Sequence, residues 1–292
     1  MIKPMNPERN KEIYDFLDSI GRTTFQERER MQKRQRLQIE AYRNPLEMKE
    51  LLGTYDRFDI RFNPLEKLLE DEQGYIRPLI GISGSWQQTN AEVIDDVYNV
   101  VSYALSKGMG IITGGAPGVD NVAIRTVLEA VRKRDIPKKL RVVLPVNKYS
   151  FIERFQDAIK KGKSKKGIEA SQAREHISLL EGLYKFRDIV FDETHFEEDR
   201  FLVGRNDDYR TLAYLDRNGL IVYGCDALVA FLVNNTRGTE DTIKKCHAIG
   251  KPYEIKKYMS DESETIRDYD RPIIRDISSN PKTSDSGIIE IS

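Results

Sequence analysis

Hydrophobic positions along the chain fall into two textures, and they begin to alternate at Arg77. Short apolar runs at 78–83, 109–113, 140–145, 219–223, 226–233 and 252–256 read as strands. Between them, apolar residues recur every third or fourth position, which predicts helices at about 90–107, 119–134, 150–161, 170–186, 205–217 and 240–249. Strand-like runs separated by helical patterns are the signature of βαβ units. The runs are apolar throughout rather than at every second position, so helices are expected on both faces of the sheet. The expected class is therefore α/β, a doubly wound, mainly parallel sheet.

The first 75 residues have a different texture, rich in charge and poor in glycine. Helical segments are expected at 8–20, 24–43 and 46–53, forming a helical extension that packs on the main domain or on a partner subunit. In "FQERERMQKRQRLQIEAY" the apolar positions Phe25, Met31, Leu37, Ile39 and Tyr42 are too sparse for a self-sufficient core helix. The stretch from about 160 to 200 reads as a charged insertion, in which "KKGKSKKG" is answered by "DETHFEEDR". From 259 to 292 the chain turns polar and rich in turn residues, so an extended or disordered tail is expected. That divides the chain into 1–75, a domain at 76–258, and the tail.

Composition narrows the function classes. No apolar run approaches the roughly 20 residues that span a bilayer, and "MIKPMNPERNKE" has no apolar signal core, so a cytoplasmic protein without membrane contact is expected. Two cysteines, Cys225 and Cys246, and scattered histidines at 176, 195 and 247 do not make a structural metal site, and no metal or cofactor is expected. With 47 basic and 47 acidic residues, the whole molecule has no net field toward nucleic acid, and any such binding has to come from a local patch.

Three glycine-bearing loops fall after strand-like runs and before helical ones: "GISGSW", "TGGAPGVD" and "NNTRGTED". In an open parallel sheet these loops share the carboxyl edge, where ligands bind. Each can aim backbone N–H groups and the positive end of a helix at one place, which suits a phosphate. Glycine lets an anion approach the backbone, and Ser83, Ser85, Thr113 and Thr239 add hydroxyl donors. The spacing is neither G-x-G-x-x-G nor that of a P-loop, which disfavours a nicotinamide enzyme and a P-loop ATPase. The expected ligand is a nucleotide or phosphosugar.

The stretches "LIGISGS", "SKGMGIITGGAPGVDNVA", "GRND" and "CDALVAFLVNNTRGTEDTIKKCHAIGKPYEI" resemble the SLOG superfamily of Rossmann-like proteins over about residues 77–257. That group includes the DNA-processing protein DprA, the Lonely Guy phosphoribohydrolases and nucleotide-sensing domains. The resemblance implies a Rossmann-like fold with Gly81, Ser83, Gly84 and Ser85 in the first ligand loop. Gly114, Gly115 and Gly118 then face the phosphate, with Asp120 at the following helix start. Arg205 and Asn206 stand for the Arg-Asn pair that DprA-like members place near the site, and Gly238 and Thr239 for the last loop. Lonely Guy enzymes carry P-G-G-x-G-T-x-x-E with a catalytic glutamate. Here the preceding glycines are absent and Thr242 takes the glutamate's position, although Glu240 and Asp241 lie just before it.

Three functions follow as expectations. The first is binding of a nucleotide or phosphorylated nucleoside, by a homodimer or higher homo-oligomer. The second is phosphoribohydrolysis, with Arg205 clamping phosphate and Glu240 or Asp241 stabilising positive charge on the sugar. The third is a DprA-like binder of single-stranded DNA, using the lysines at 160–166. Trp86 is open to two readings, stacking on a base or burial against the N-terminal region. Asp120 reads first as a helix cap, and Cys225, Cys246 and His247 as packing residues.

Overall fold

A computed structural model describes residues 8–22, 78–86, 89–130, 140–160, 170–183, 191–193 and 207–259. Six strands form one sheet: β1 (Leu79–Gly84), β2 (Gly110–Thr113), β3 (Leu140–Leu144), β4 (Phe191–Glu193), β5 (Ala227–Val233) and β6 (Tyr253–Tyr258). Every pairing is parallel, in the order β4-β3-β2-β1-β5-β6. Among the described residues the helices are α1 (Lys11–Arg22), α2 (Ala91–Ser106), α3 (Val119–Ala130), α4 (Lys148–Lys160), α5 (Ala170–Leu183), α6 (Asp207–Gly224) and α7 (Arg237–Ala248). The α/β, doubly wound class expected from the apolar pattern is the class observed.

The strands are apolar throughout because both faces are covered. Ile80, Ile82, Ile111, Val142, Leu144, Val229 and Phe231 join one core with α1 to α5, whereas Leu79, Ile112, Val143, Leu228 and Ala230 join another with α6 and α7. Adjacent residues of a strand point to opposite faces, so an unbroken apolar run is what a two-sided sheet requires. Helix α2 shows the complementary pattern. Val93, Val97, Val100, Val101 and Ala104 are buried on one stripe, and Asn90 caps the helix by accepting from the Val93 N–H at 2.9 Å.

Two elements differ from the expected ones. Residues 219–223 are not a strand but the last turns of α6, which runs unbroken to Gly224. Leu220, Ile221 and Val222 are all buried there, and a short run that is apolar all round looks the same in a buried strand and in a buried helix. The three-residue strand β4 lies inside the charged stretch and pairs with β3 from Val142↔Phe191 to Leu144↔Glu193. Its sequence "FDE" has no apolar alternation to betray it. The expected helices at 24–43 and 46–53, and the tail from 260, lie outside the described residues.

The chain leaves β1 toward β2, β3 and β4, then returns to the other side of β1 at β5. The direction of winding therefore reverses between β1 and β5. In open sheets of this topology ligands bind outside the carboxyl ends of the strands at such a point.

Candidate ligand site at the carboxyl edge

Three loops meet at this reversal. The loop after β1 is tied to the loop after β2 by the Val119 N–H, which donates to the Ser85 carbonyl at 3.1 Å. Strand β1 is tied to α7 by the Ser83 hydroxyl, which donates to Thr242 Oγ1 at 3.2 Å, and Thr242 in turn donates to the Gly238 carbonyl at 3.0 Å. Thr113 closes β2 against β1 by donating to the Ile82 carbonyl at 3.0 Å. Ser83, Ser85, Thr113 and Thr239 are thus buried and engaged in joining the loops, or lie among the groups that do.

The glycines separate by what surrounds them. A Cβ at Gly84 would lie 2.5 Å from Val119 Cγ2, so this glycine admits the start of α3 against β1. Gly115 and Gly118 have φ values of +64° and +82°, in the left-handed region where a side chain is strained. A Cβ at Gly118 would also meet the Ser85 carbonyl oxygen at 2.4 Å. Gly81 packs against Cys225 and Leu228. Gly238 alone among these is exposed, with nothing within 4 Å of an added Cβ. The loop leading to it turns through Asn234 and Asn235, at φ +47° and +51°, a conformation that asparagine tolerates best after glycine.

Gly114 has another role. Its missing side chain is replaced by the Arg217 guanidinium: an added Cβ would lie 1.1 Å from Nη1. Nη1 also donates to Asp120 Oδ2 at 3.1 Å, and Asp120 accepts from the Ala116 N–H at 3.1 Å. Both side chains of this ion pair are more than nine-tenths buried. Burial pushes the Asp120 carboxyl above its ordinary range, while Arg217, the Ala116 N–H and the Thr113 hydroxyl pull it down. Asp120 is therefore the acid that holds an arginine over the glycine loop. The Nε of Arg217 is buried and has no hydrogen-bond partner among the described residues.

The next residue on α6, Asn218, faces the third loop. Its amide donates to the Gly238 carbonyl at 3.1 Å and to Asp241 Oδ2 at 3.2 Å, and Asp241 also pairs with Lys245 at 2.7 Å. Consecutive residues Arg217 and Asn218 thus fasten α6 to the loops after β2 and β5. Arg217 touches Gly114, directly beyond the last residue of β2. The residues of α6 before it line this edge as a wall, and Ala213 among them is fully buried in the core that α1 to α5 share. Tyr214 lies on that wall. The Arg154 guanidinium of α4 lies 5.3 Å from the Tyr214 ring centre and 6.0 Å from that of Trp86, and Arg217 lies 5.5 Å from the Tyr214 ring.

Of the residues expected from sequence, Ser83, Gly84, Ser85, Thr113, Gly114, Gly115, Gly118, Asp120, Gly238 and Thr239 gather at this edge, whereas Gly81 lies inside β1 against Cys225 and Leu228, away from it. Arg205 and Asn206 lie outside the described residues. Arg217, Asn218, Tyr214 and Arg154 were not foreseen. The signal was present in "DRNG", a second Arg-Asn pair twelve residues after the first, hidden because 219–223 read as a strand. Asp241 is engaged by Asn218 and Lys245, and Glu240 sits half-buried in the first turn of α7. Trp86 is half-buried and packs partly on the core. Cys225 and Cys246 are buried as expected, with burial pushing the Cys246 thiol up, whereas His247 is exposed beside Tyr253. Among the described residues no cluster of three metal-ligating side chains occurs, and no helix is long and apolar enough to cross a membrane.

No protein-family model and no curated protein matches this chain. Among solved structures the chain is similar to DNA processing protein A from Helicobacter pylori, reported for its single-stranded DNA binding mode. The two share 16% identity with a TM-score of 0.38, over 65% of this chain and 67% of that one.

Proposed function

We propose that this chain binds a nucleotide or phosphorylated nucleoside, with the phosphate at the reversal point between β1 and β5. The observation that carries the reading is Arg217. Its guanidinium lies on Gly114, is held there by Asp120, and keeps a buried Nε with no partner among the described residues. A guanidinium fixed over the glycine loop sets fixed N–H donors at this edge, where an anion is favoured. The N-terminus of α7 adds backbone N–H groups and a positive dipole beside Gly238, which has open space around it. Asn218 sets the relative position of the two.

This is the ligand class that the resemblance to SLOG proteins implies, on residues 77–257. Phosphoribohydrolysis is the weaker reading, because the acid nearest the loop after Glu240 is occupied by Asn218 and Lys245. A single-stranded DNA reading is favoured by one feature, the aromatic and arginine side chains at the same edge, since stacking rings with cations suit an unpaired strand.

The test uses Gly238→Asp. An acid at this exposed position buries nothing and suits the first turn of a helix, so thermal unfolding is expected to change little. Calorimetric titration with nucleoside monophosphates should show binding to the parent chain and a loss of at least about tenfold in the variant. Unchanged affinity in Gly238→Asp, or no binding to the parent, overturns the reading. Titration with a short oligothymidylate at low and moderate salt separates the strand reading, which requires a steep salt dependence.

A further inference from the structure

The wall of α6 at this edge carries a second kind of chemistry beside the phosphate position. Tyr214 precedes Arg217 by three residues, which places it on the same side of the helix and about 4.5 Å nearer the start of α6. That rise is on the order of the length of one pentose. Two guanidinium groups, from Arg154 and Arg217, lie within 5.5 Å of the Tyr214 ring centre. Arg154 also donates to the Tyr214 hydroxyl and lies beside the Trp86 ring. Trp86, Arg154 and Tyr214 come from the β1–α2 loop, α4 and α6, and all three are half-buried.

A core role does not require this arrangement. Trp86 and Tyr214 pack partly on the hydrophobic core, yet both stay half-buried, with the Arg154 and Arg217 guanidinium groups beside the Tyr214 ring. Planar rings and planar guanidinium groups are what a nucleobase stacks on. Resting on the phosphate reading above, we propose that Trp86, Arg154 and Tyr214 form the base-stacking subsite of a mononucleotide whose phosphate is held by Arg217 and α7. Recognition through ring faces discriminates weakly among bases, because every base has a π-face. The ligand class is then a nucleoside monophosphate of either base type, rather than a phosphosugar.

Trp86 is the only tryptophan, so emission excited at wavelengths that tyrosine does not absorb reports on this subsite. Titrations with AMP, CMP, ribose 5-phosphate and a short oligothymidylate are followed by Trp86 emission and by calorimetry, for the full chain and for Tyr214→Leu and Arg154→Met. AMP is expected to change Trp86 emission and to bind roughly tenfold or more tighter than ribose 5-phosphate, with CMP within several-fold of AMP. Tyr214→Leu should bring AMP down to the affinity of ribose 5-phosphate while leaving ribose 5-phosphate unchanged. Arg154→Met provides the same comparison should Tyr214→Leu unfold. Equal affinity for AMP and ribose 5-phosphate overturns the stacking subsite and spares the phosphate reading, as does equal weakening of both in the variants. Binding of the oligothymidylate without AMP replaces the mononucleotide by a strand. Binding of no phosphate compound removes both.

Discussion

A methyl group at Gly114 would lie 1.1 Å from Nη1 of Arg217, whereas one at Gly238 would meet nothing within 4 Å. Two glycines that look alike in the sequence therefore differ in what they permit: Gly114 makes room for a side chain, and Gly238 for nothing in the fold. Gly114→Ala has to expel a guanidinium from a buried ion pair, and breaking such a pair by displacing one partner costs about 3 kcal/mol or more. Gly238→Ala is expected to be neutral or to stabilise by about 0.5 kcal/mol, since alanine suits a helix better than glycine. Urea denaturation of the two variants checks the contrast, and similar losses in both would remove it. Sequence alone marked both positions as phosphate-facing, because it shows where side chains are missing but not what takes their place. His176 is legible even less. It was one of three scattered histidines, yet it is buried, packed edge-on against Phe155 with ring centres 4.7 Å apart. Burial, with Arg125 nearby, pushes its pKa down from 6.5 to about 3. A depressed histidine pKa means that the unfolded chain takes up a proton before the folded one as pH falls. Stability is therefore complete above the unfolded pKa and declines between about pH 6.5 and 3. Lowering the pH from 7 to 5 should cost about 2 kcal/mol through this residue. His176→Phe, which keeps a ring among Phe151 and Phe155, should flatten that part of the urea-stability profile; an unchanged slope would assign it elsewhere.

At the scale of elements, α6 decides how the site is assembled, and its far end is fixed by an unusual plug. Lys251, itself buried, donates from Nζ to the carbonyls of Val222, at 2.6 Å, Tyr223, at 3.1 Å, and Cys225. The last carbonyls of a helix have no partner within it, and here they end beside the core, with Val222 and Cys225 buried. One ammonium satisfies two of them and the Cys225 carbonyl just beyond, and also suits the negative end of the dipole. Lys251→Met keeps much of the volume and leaves the carbonyls unpaired, so a loss of about 3 kcal/mol is expected. Amide exchange should quicken along the last turn of α6, and ligand affinity should fall because Arg217 and Asn218 lose their fixed height. A variant that unfolds no earlier than the parent would show the plug to be dispensable. The same helix shows why some elements were readable and others not. α2 and α3 announced themselves by an apolar stripe against a polar face, and β1 and β5 by unbroken apolar runs beside glycine. The end of α6 is buried all round, which erases its period. β4 is three residues long and holds its place by backbone pairing to β3, which leaves no trace in residue type.

For the whole molecule, the N-terminal segment is part of the core on one face of the sheet. Helices α6 and α7 pack mainly on one face of the sheet, while α2 to α5 share the core on the other with Val229, Phe231 and Tyr258 of β5 and β6. Ile13, Tyr14, Leu17 and Ile20 of α1 join that same core, and the helix runs alongside α2 with Tyr14 stacked on Tyr103 at 4.2 Å. What locks it there is a buried acid. Asp96 of α2, with no exposed surface, pairs with Arg9 at 3.0 Å and Lys256 at 2.9 Å, and accepts from Asn10 at 3.1 Å and the Tyr258 hydroxyl at 2.8 Å. The charge-rich texture of the first 75 residues concealed this, because Arg9 and Asn10 read as surface and their partner lies 86 positions away from Asn10. Asp96→Ala strands two cations and a hydroxyl around an empty position, at a cost of about 3 kcal/mol or more. The loss has a location as well as a size. Residues 8–22 should become accessible to protease and exchange before the sheet does, and the core surface that α1 leaves should bind a hydrophobic dye. If α1 were a surface appendage, the variant would lose under about 1 kcal/mol and dye binding would not rise. Because α2 and α3 pack on each other and the α2 N-terminus follows the loop that carries Trp86, the same variant should weaken AMP through the stacking position before the phosphate position. Comparing AMP with ribose 5-phosphate in Asp96→Ala therefore tests whether the N-terminal helix supports the site or only the core.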